Sequence, residues 1–152
     1  MSTAIAAYHG AFGRAVIYQL NRPISTHAHR EGHLVFHLDG PSAWSRLHRG
    51  AALLPPNSIA ATNPWEQHEF IPGDRHAASR FLILYISPAW YSEAGRNSEI
   101  PLRFGQPEVA MTPRISNVLT GLHYVLLGEG PNLCIDTAIY DLVSACFTQS
   151  WY

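Results

Sequence analysis

Short runs of apolar residues, cut every few positions by turn formers, dominate the first two thirds of the chain. In RAVIYQL, residues 14–20, Ala15, Ile17 and Gln19 alternate with Val16, Tyr18 and Leu20, the period of a strand, and Asn21-Arg22-Pro23 then breaks it. The same reading predicts strands over 33–38, closed by Asp39-Gly40-Pro41, and over 44–48, closed by Arg49-Gly50. Further strands are predicted over 51–54, 58–62, 68–71 and 79–86. The last of these, SRFLILYI, is the clearest buried strand and stops before Pro88. Seven or so short strands with frequent turn signals predict a sandwich or a barrel. The N-terminal stretch carrying His9 reads as a disordered end.

The period changes after about residue 105. Thr112 followed by Pro113 is a helix start, an N-cap and a proline at the first helical position. Ile115, Val118, Leu119, Leu122, Val125 and Leu126 follow at helical spacing, and Gly128 suits the C-terminal cap. After a turn at Gly130-Pro131-Asn132, Ile135, Ala138, Ile139, Leu142, Val143, Cys146 and Phe147 trace a second amphipathic helix. The expected architecture is mainly β: a barrel over residues 1–105 and an antiparallel helix pair over 106–152, in one compact domain.

Composition narrows the function. Only 14% of the 152 residues are charged and 47% are hydrophobic, which fits one domain with a substantial core. Net charge is −1, all ten basic residues are Arg, and they are scattered, so nothing resembles a phosphate-binding stripe. Cys134 and Cys146 match no metal or redox spacing and read as buried free thiols of a reducing cytoplasm. The N-terminus has no charged n-region with a long apolar run, and no stretch reaches membrane-spanning length.

The chemistry concentrates in HAHREGHLVFHLDG, residues 27–40, where His27, His29, His33 and His37 share one parity. Along an extended strand they face the same way, opposite Leu34, Phe36 and Leu38. Either the histidine face is wet and the other is core, or the histidines line a barrel cavity while the apolar face packs on the helix pair. The low charge favours the second. Neutral imidazoles suit a divalent transition metal such as Zn, Ni or Fe. Glu31 reads as solvated, His37 as a pocket or core residue, His48 and His76 as surface residues, and His123 as a packing or surface residue of the first helix.

His27-x-His29, three residues, His33, six residues, Gly40 resembles the first cupin motif, with His33 where that family has Glu. Gly50 and Pro64-Trp65-Glu66-Gln67-His68 resemble the second motif, without its usual Asn three residues after the histidine. The resemblance implies His27, His29, His33 and His68 as metal ligands, His27 being the weakest because it falls in the loop before the strand. HAHREGHLVFHLDG, TNPWEQHEF, FLILYISPAWY and RFGQPEVAMTPRISNVLTGL, in that order, are similar to the N-terminal sensor domain of AraC-family transcription regulators over about residues 12–150.

That similarity implies a small effector in the barrel, contacting His29, His33, His68, Trp44, Trp65 and Tyr85, and a homodimer through the C-terminal helices. An apolar stripe of Leu142, Val143, Phe147 and Trp151 either meets a partner helix in that dimer or packs only on the barrel. DNA would be bound only through a C-terminal helix-turn-helix domain, for which this chain has no room after Trp151-Tyr152. The expected setting is cytoplasmic, with no membrane contact. Two other readings stay open: a small metal-dependent cupin enzyme, a dioxygenase or isomerase, and a pH-responsive binding module built on clustered imidazoles.

Overall fold

A computed structural model describes residues 2–47, 50–95, 103–129 and 134–152. The expectations for His48 and Arg49, and for the turn at Gly130-Pro131-Asn132, lie outside the described residues. The strands are β1 (Ser2–Gly10), β2 (Gly13–Leu20), β3 (Ile24–His27), β4 (Gly32–Asp39), β5 (Ala43–Leu47), β6 (Gly50–Leu54), β7 (Ile59–Thr62), β8 (His68–Pro72), β9 (Ser79–Ile86) and β10 (Glu108–Val109). The helices are α1 (Pro88–Gly95), α2 (Pro113–Leu126) and α3 (Ile135–Gln149).

The strands form two antiparallel sheets. One has the order β1-β2-β9-β4-β7-β10 and the other β3-β8-β5-β6. Two cores follow from the strand alternation. Leu20, Val35, Phe81 and Ile83 of the large sheet meet Ala43, Ala52 and Leu54 of the small sheet, filling the space between them. The opposite face of the large sheet offers Ile17, Leu34, Phe36, Leu82 and Leu84 to Ile115, Leu119, Leu122, Ile139, Leu142 and Val143 of the helix pair. The large sheet is therefore covered on both sides, and β4 turns its histidines toward the barrel interior as the second reading of that strand requires.

The helix starts where Thr112 and Pro113 set it: the Thr112 hydroxyl accepts from the Ile115 amide at 3.2 Å. Gly128, at φ +76°, supplies the left-handed residue after the helix. The edge strand β1 replaces the expected disordered end, and His9 lies in it, paired with Arg14 of β2. Its side chains are mostly exposed, so it shows little of the apolar alternation that marks a half-buried strand. The turn into β2 needs glycine: Gly13 has φ +134°, and a Cβ there would strike the Tyr85 carbonyl.

One further expectation is corrected and one open alternative is resolved. Cys134 is exposed because it caps α3 from outside the helix, whereas Cys146 is buried in the core beneath it. Leu142, Val143 and Phe147 are 0%, 1% and 8% exposed, so the stripe they form is used up against the chain's own sheet. Among its members only Trp151 stays half exposed. Among the described residues no helix is long and apolar enough to cross a membrane.

Candidate metal and ligand site

Four histidines converge at one end of the barrel from four backbone positions. His27 ends β3, opposite His68 at the start of β8. His29 lies in the link to β4, and His33 is the second residue of β4, opposite Tyr85 of β9. His27 is thus a strand residue rather than a loop residue. A strand of four residues with three of them exposed gives too short a pattern to read from sequence.

The rings are packed together. Centroid separations are 4.2 Å for His27–His68, 4.9 Å for His29–His68, 4.6 Å for His33–His68 and 5.2 Å for His29–His33. His27, His29 and His68 each present a ring nitrogen within 4.8 Å of the others. His33 Nε2 lies 2.9 Å from His68 Nε2.

Backbone carbonyls fix the protons. His68 Nδ1 is 2.8 Å from the Glu66 carbonyl, and His27 Nδ1 is 2.8 Å from the Ser25 carbonyl. A carbonyl only accepts, so each Nδ1 carries the hydrogen and each neutral ring keeps a bare Nε2 lone pair. His29 Nδ1 lies 3.5 Å from the Glu31 carboxylate, so Glu31 is drawn to the site rather than merely solvated. Gly32 is buried between Tyr91 and Thr62, which brings the chain back toward the barrel after Glu31. His33 donates from Nε2 to His68 Nε2, which leaves its buried Nδ1 without a partner.

Burial disfavours the charged form of His29, His33 and His68. It holds His33 well below the ordinary histidine value, helped by the neighbouring His68 and His29, and it pushes His68 down to about 4. His29 is lowered chiefly by burial too. Tyr85, which packs on His29 and His33, is pushed up to about 12 by burial.

These groups fit a metal ion. Imidazoles that donate Nδ1–H to a carbonyl or carboxylate and offer Nε2 are held in the ligating tautomer. His27, His29 and His68 would hold the ion. His33 can join them if its proton moves to Nδ1.

Below the histidines lies a cavity of about 60 Å³ with an apolar floor that includes Leu54, Phe70, Phe81 and Ile83. His27, His29, His33, His68 and Tyr85 line it. Trp44 and Trp65 do not, contrary to expectation. Trp44 alternates to the outer face of β5 and is 45% exposed. Trp65 sits in a turn at φ +61°, 68% exposed, and meets the site only through its amide, which donates to the His29 carbonyl at 2.8 Å. His37 is occupied elsewhere: its ring nitrogens lie 2.7 and 2.9 Å from the Leu54 and Asp39 carbonyls, and its ring packs on Phe81.

The family model of the AraC-like ligand binding domain matches residues 12–143. The chain belongs to this family. Its barrel is a cupin: a cupin superfamily protein from Desulfitobacterium hafniense DCB-2 superposes with a TM-score of 0.50 at 10% identity, over 57% of this chain and 78% of that one. A cupin domain from Bordetella pertussis Tohama I gives a TM-score of 0.44 at 11% identity, over 57% of this chain and 92% of that one. No curated protein matches the sequence. In this AraC-like ligand binding domain, sequence reasoning missed Arg14 and Tyr91. Arg14 stacks its guanidinium 4.0 Å over the Tyr85 ring. Tyr91 of α1 buries a hydroxyl against Gly32 without a hydrogen bond. The register of β2 against β9 would reveal the first, but neither residue stands in the quoted motifs as a polar site residue.

Proposed function

We propose that this domain senses a small-molecule effector in the histidine-lined cavity, with a divalent transition metal, Zn, Ni or Fe, held by His27, His29 and His68 as part of the site. The observation that carries the reading is the pair of carbonyl-anchored imidazoles, His27 and His68, whose bare nitrogens converge with His29 above an apolar floor. Bound there, a metal would supply a Lewis-acidic anchor for an oxygen or nitrogen atom of the effector. The chain itself orients the rings through the Ser25 and Glu66 carbonyls.

A contact route links the site to the helices. Trp65 donates to the His29 carbonyl at 2.8 Å; two residues before it, the Asn63 side chain bonds both the amide and the carbonyl of Phe104, at 2.7 and 3.1 Å. Phe104 stacks on Phe147 of α3 at 4.2 Å. An effector that binds one arrangement of this route better than another would shift the position of α3. In this reading the barrel of residues 1–105 senses, the helices of 106–152 relay, and two copies join through the exposed Tyr124, Tyr140 and Trp151. DNA contact belongs to a helix-turn-helix region outside these residues, in a cytoplasmic regulator.

Metal analysis of protein purified without an affinity tag tests the site. The expected result is one Zn, Ni or Fe per chain, lost in a His29→Ala/His68→Ala variant that keeps its circular dichroism. Protein that neither carries nor takes up these ions overturns the metal assignment. Sedimentation at micromolar concentration tests the dimer, and a strict monomer overturns it.

The same histidines support a second reading, a metal-dependent dioxygenase or isomerase. Against it, the carboxylate that lines the cavity among the described residues, Glu69, is paired with Arg46 at 3.0 Å and is a poor free base. Oxygen consumption by iron-loaded protein, abolished in the double variant, would favour the enzyme.

A further inference from the structure

The floor of the cavity and its rim differ in chemistry, and together they describe a ligand. The floor is apolar, with Val35, Leu54, Phe81 and Ile83. At the other end stands a cation that the histidines do not explain. Arg14, His33 and Tyr85 lie side by side across the large sheet: Arg14 pairs with Tyr85 across β2 and β9, and Tyr85 pairs with His33 across β9 and β4. The Arg14 guanidinium lies flat over the Tyr85 ring at 4.0 Å, and that ring packs on His29 and His33 at 6.0 and 5.7 Å. One aromatic ring therefore separates the guanidinium from the histidines.

Arg14 is exposed, and among the described residues no carboxylate forms an ion pair with it. Glu31, a negative charge beside His29, is shared between His29 at 3.5 Å and Arg30 at 3.6 Å. A guanidinium whose planar face is fixed on a ring keeps its N–H edge free for a planar anion, and a carboxylate matches that fork with two parallel hydrogen bonds.

We propose that the effector is a small organic anion, a carboxylate with a short apolar tail, whose head reaches past the rim of Tyr85 to the N–H edge of Arg14 and whose tail enters the floor. This rests on the reading of the cavity as the effector site. It does not require the metal. The cavity of about 60 Å³ limits the tail to a few carbons, since one water position takes about 10–15 Å³ on this measure. Arg14 then selects charge, and the floor selects length.

Calorimetric titration of the whole chain with butyrate, butyramide and octanoate, with and without Zn, tests the proposal. Butyrate is expected to bind, butyramide to bind at least about tenfold more weakly, and Arg14→Gln to remove that difference. Arg14 is exposed, so the variant should keep the wild-type circular dichroism and unfolding midpoint. Octanoate should bind no better than butyrate. Equal affinity for acid and amide, or butyrate binding unmoved by Arg14→Gln, overturns the anion assignment while leaving the cavity as an effector site. Failure of all three to bind overturns both. Arg14-dependent butyrate binding by protein that takes up no metal keeps this proposal and removes only the metal.

Discussion

Lowering the pH should destabilise the metal-free protein well before its carboxylates titrate. His68 has an ordinary value near 6.5 in the unfolded chain and about 4 in the folded one, because burial penalises its charged form. Above pH 6.5 the ring is neutral in both states and pH has no leverage through it. Below that, the unfolded chain takes up a proton that the folded chain refuses, so stability falls as pH falls from 6.5 to about 4. At pH 5.5 the ratio of protonation factors is about ten, worth about 1.4 kcal/mol. Solvent at the mouth of the cavity screens part of this, leaving about 1 kcal/mol. His33, fully enclosed and held lower still, adds to the loss in the same direction. Urea unfolding in EDTA at pH 7.5 and 5.5, followed by tryptophan fluorescence, measures it. The free energy of unfolding should drop by at least about 1 kcal/mol, and in His68→Gln that drop should shrink. An unchanged midpoint between the two pH values, or an identical drop in the variant, refutes the argument that these imidazoles are buried neutral.

Three further outcomes follow from single side chains. Tyr91→Phe removes a buried hydroxyl that lacks a partner, so unfolding measurements should find it neutral or stabilising by up to about 1 kcal/mol; a loss larger than that would mean the hydroxyl is bonded. Phe147→Ala empties a position stacked on Phe104 and packed by Trp90 and Tyr91; it should cost about 3–5 kcal/mol in urea unfolding, and a cost below about 1 kcal/mol would show that α3 is not anchored there. A thiol reagent at pH 8 should modify the exposed Cys134, whose thiol is lowered by the Thr137 hydroxyl, and spare Cys146, whose thiol burial pushes up to about 12. Two equivalents reacting at one rate would contradict the burial of Cys146.

The chain made its core legible where one face of an element is consistently apolar. β2, β4 and β9 alternate, or are apolar throughout because the large sheet is covered on both sides, and α2 and α3 carry one wide stripe each with a Thr-Pro start on the first. β1, β3 and β10 carried no such signal: β1 and β3 are largely exposed, and β10 has two residues. At the site, the resemblance to the two cupin motifs brought His27, His29, His33 and His68 together, and β3 paired with β8 sets the first of them opposite the last. It could not separate the wall from the exterior among the aromatics. Trp44 and Tyr85 each lie in a predicted strand, yet only strand registry turns Tyr85 inward and Trp44 outward. The same registry, β2 on β9 on β4, sets Arg14 beside Tyr85 and Tyr85 beside His33. A charge read as one scattered arginine among ten thereby becomes the cation nearest the cavity's tyrosine wall, and the question of what the histidines bind becomes a question about the sign of the ligand.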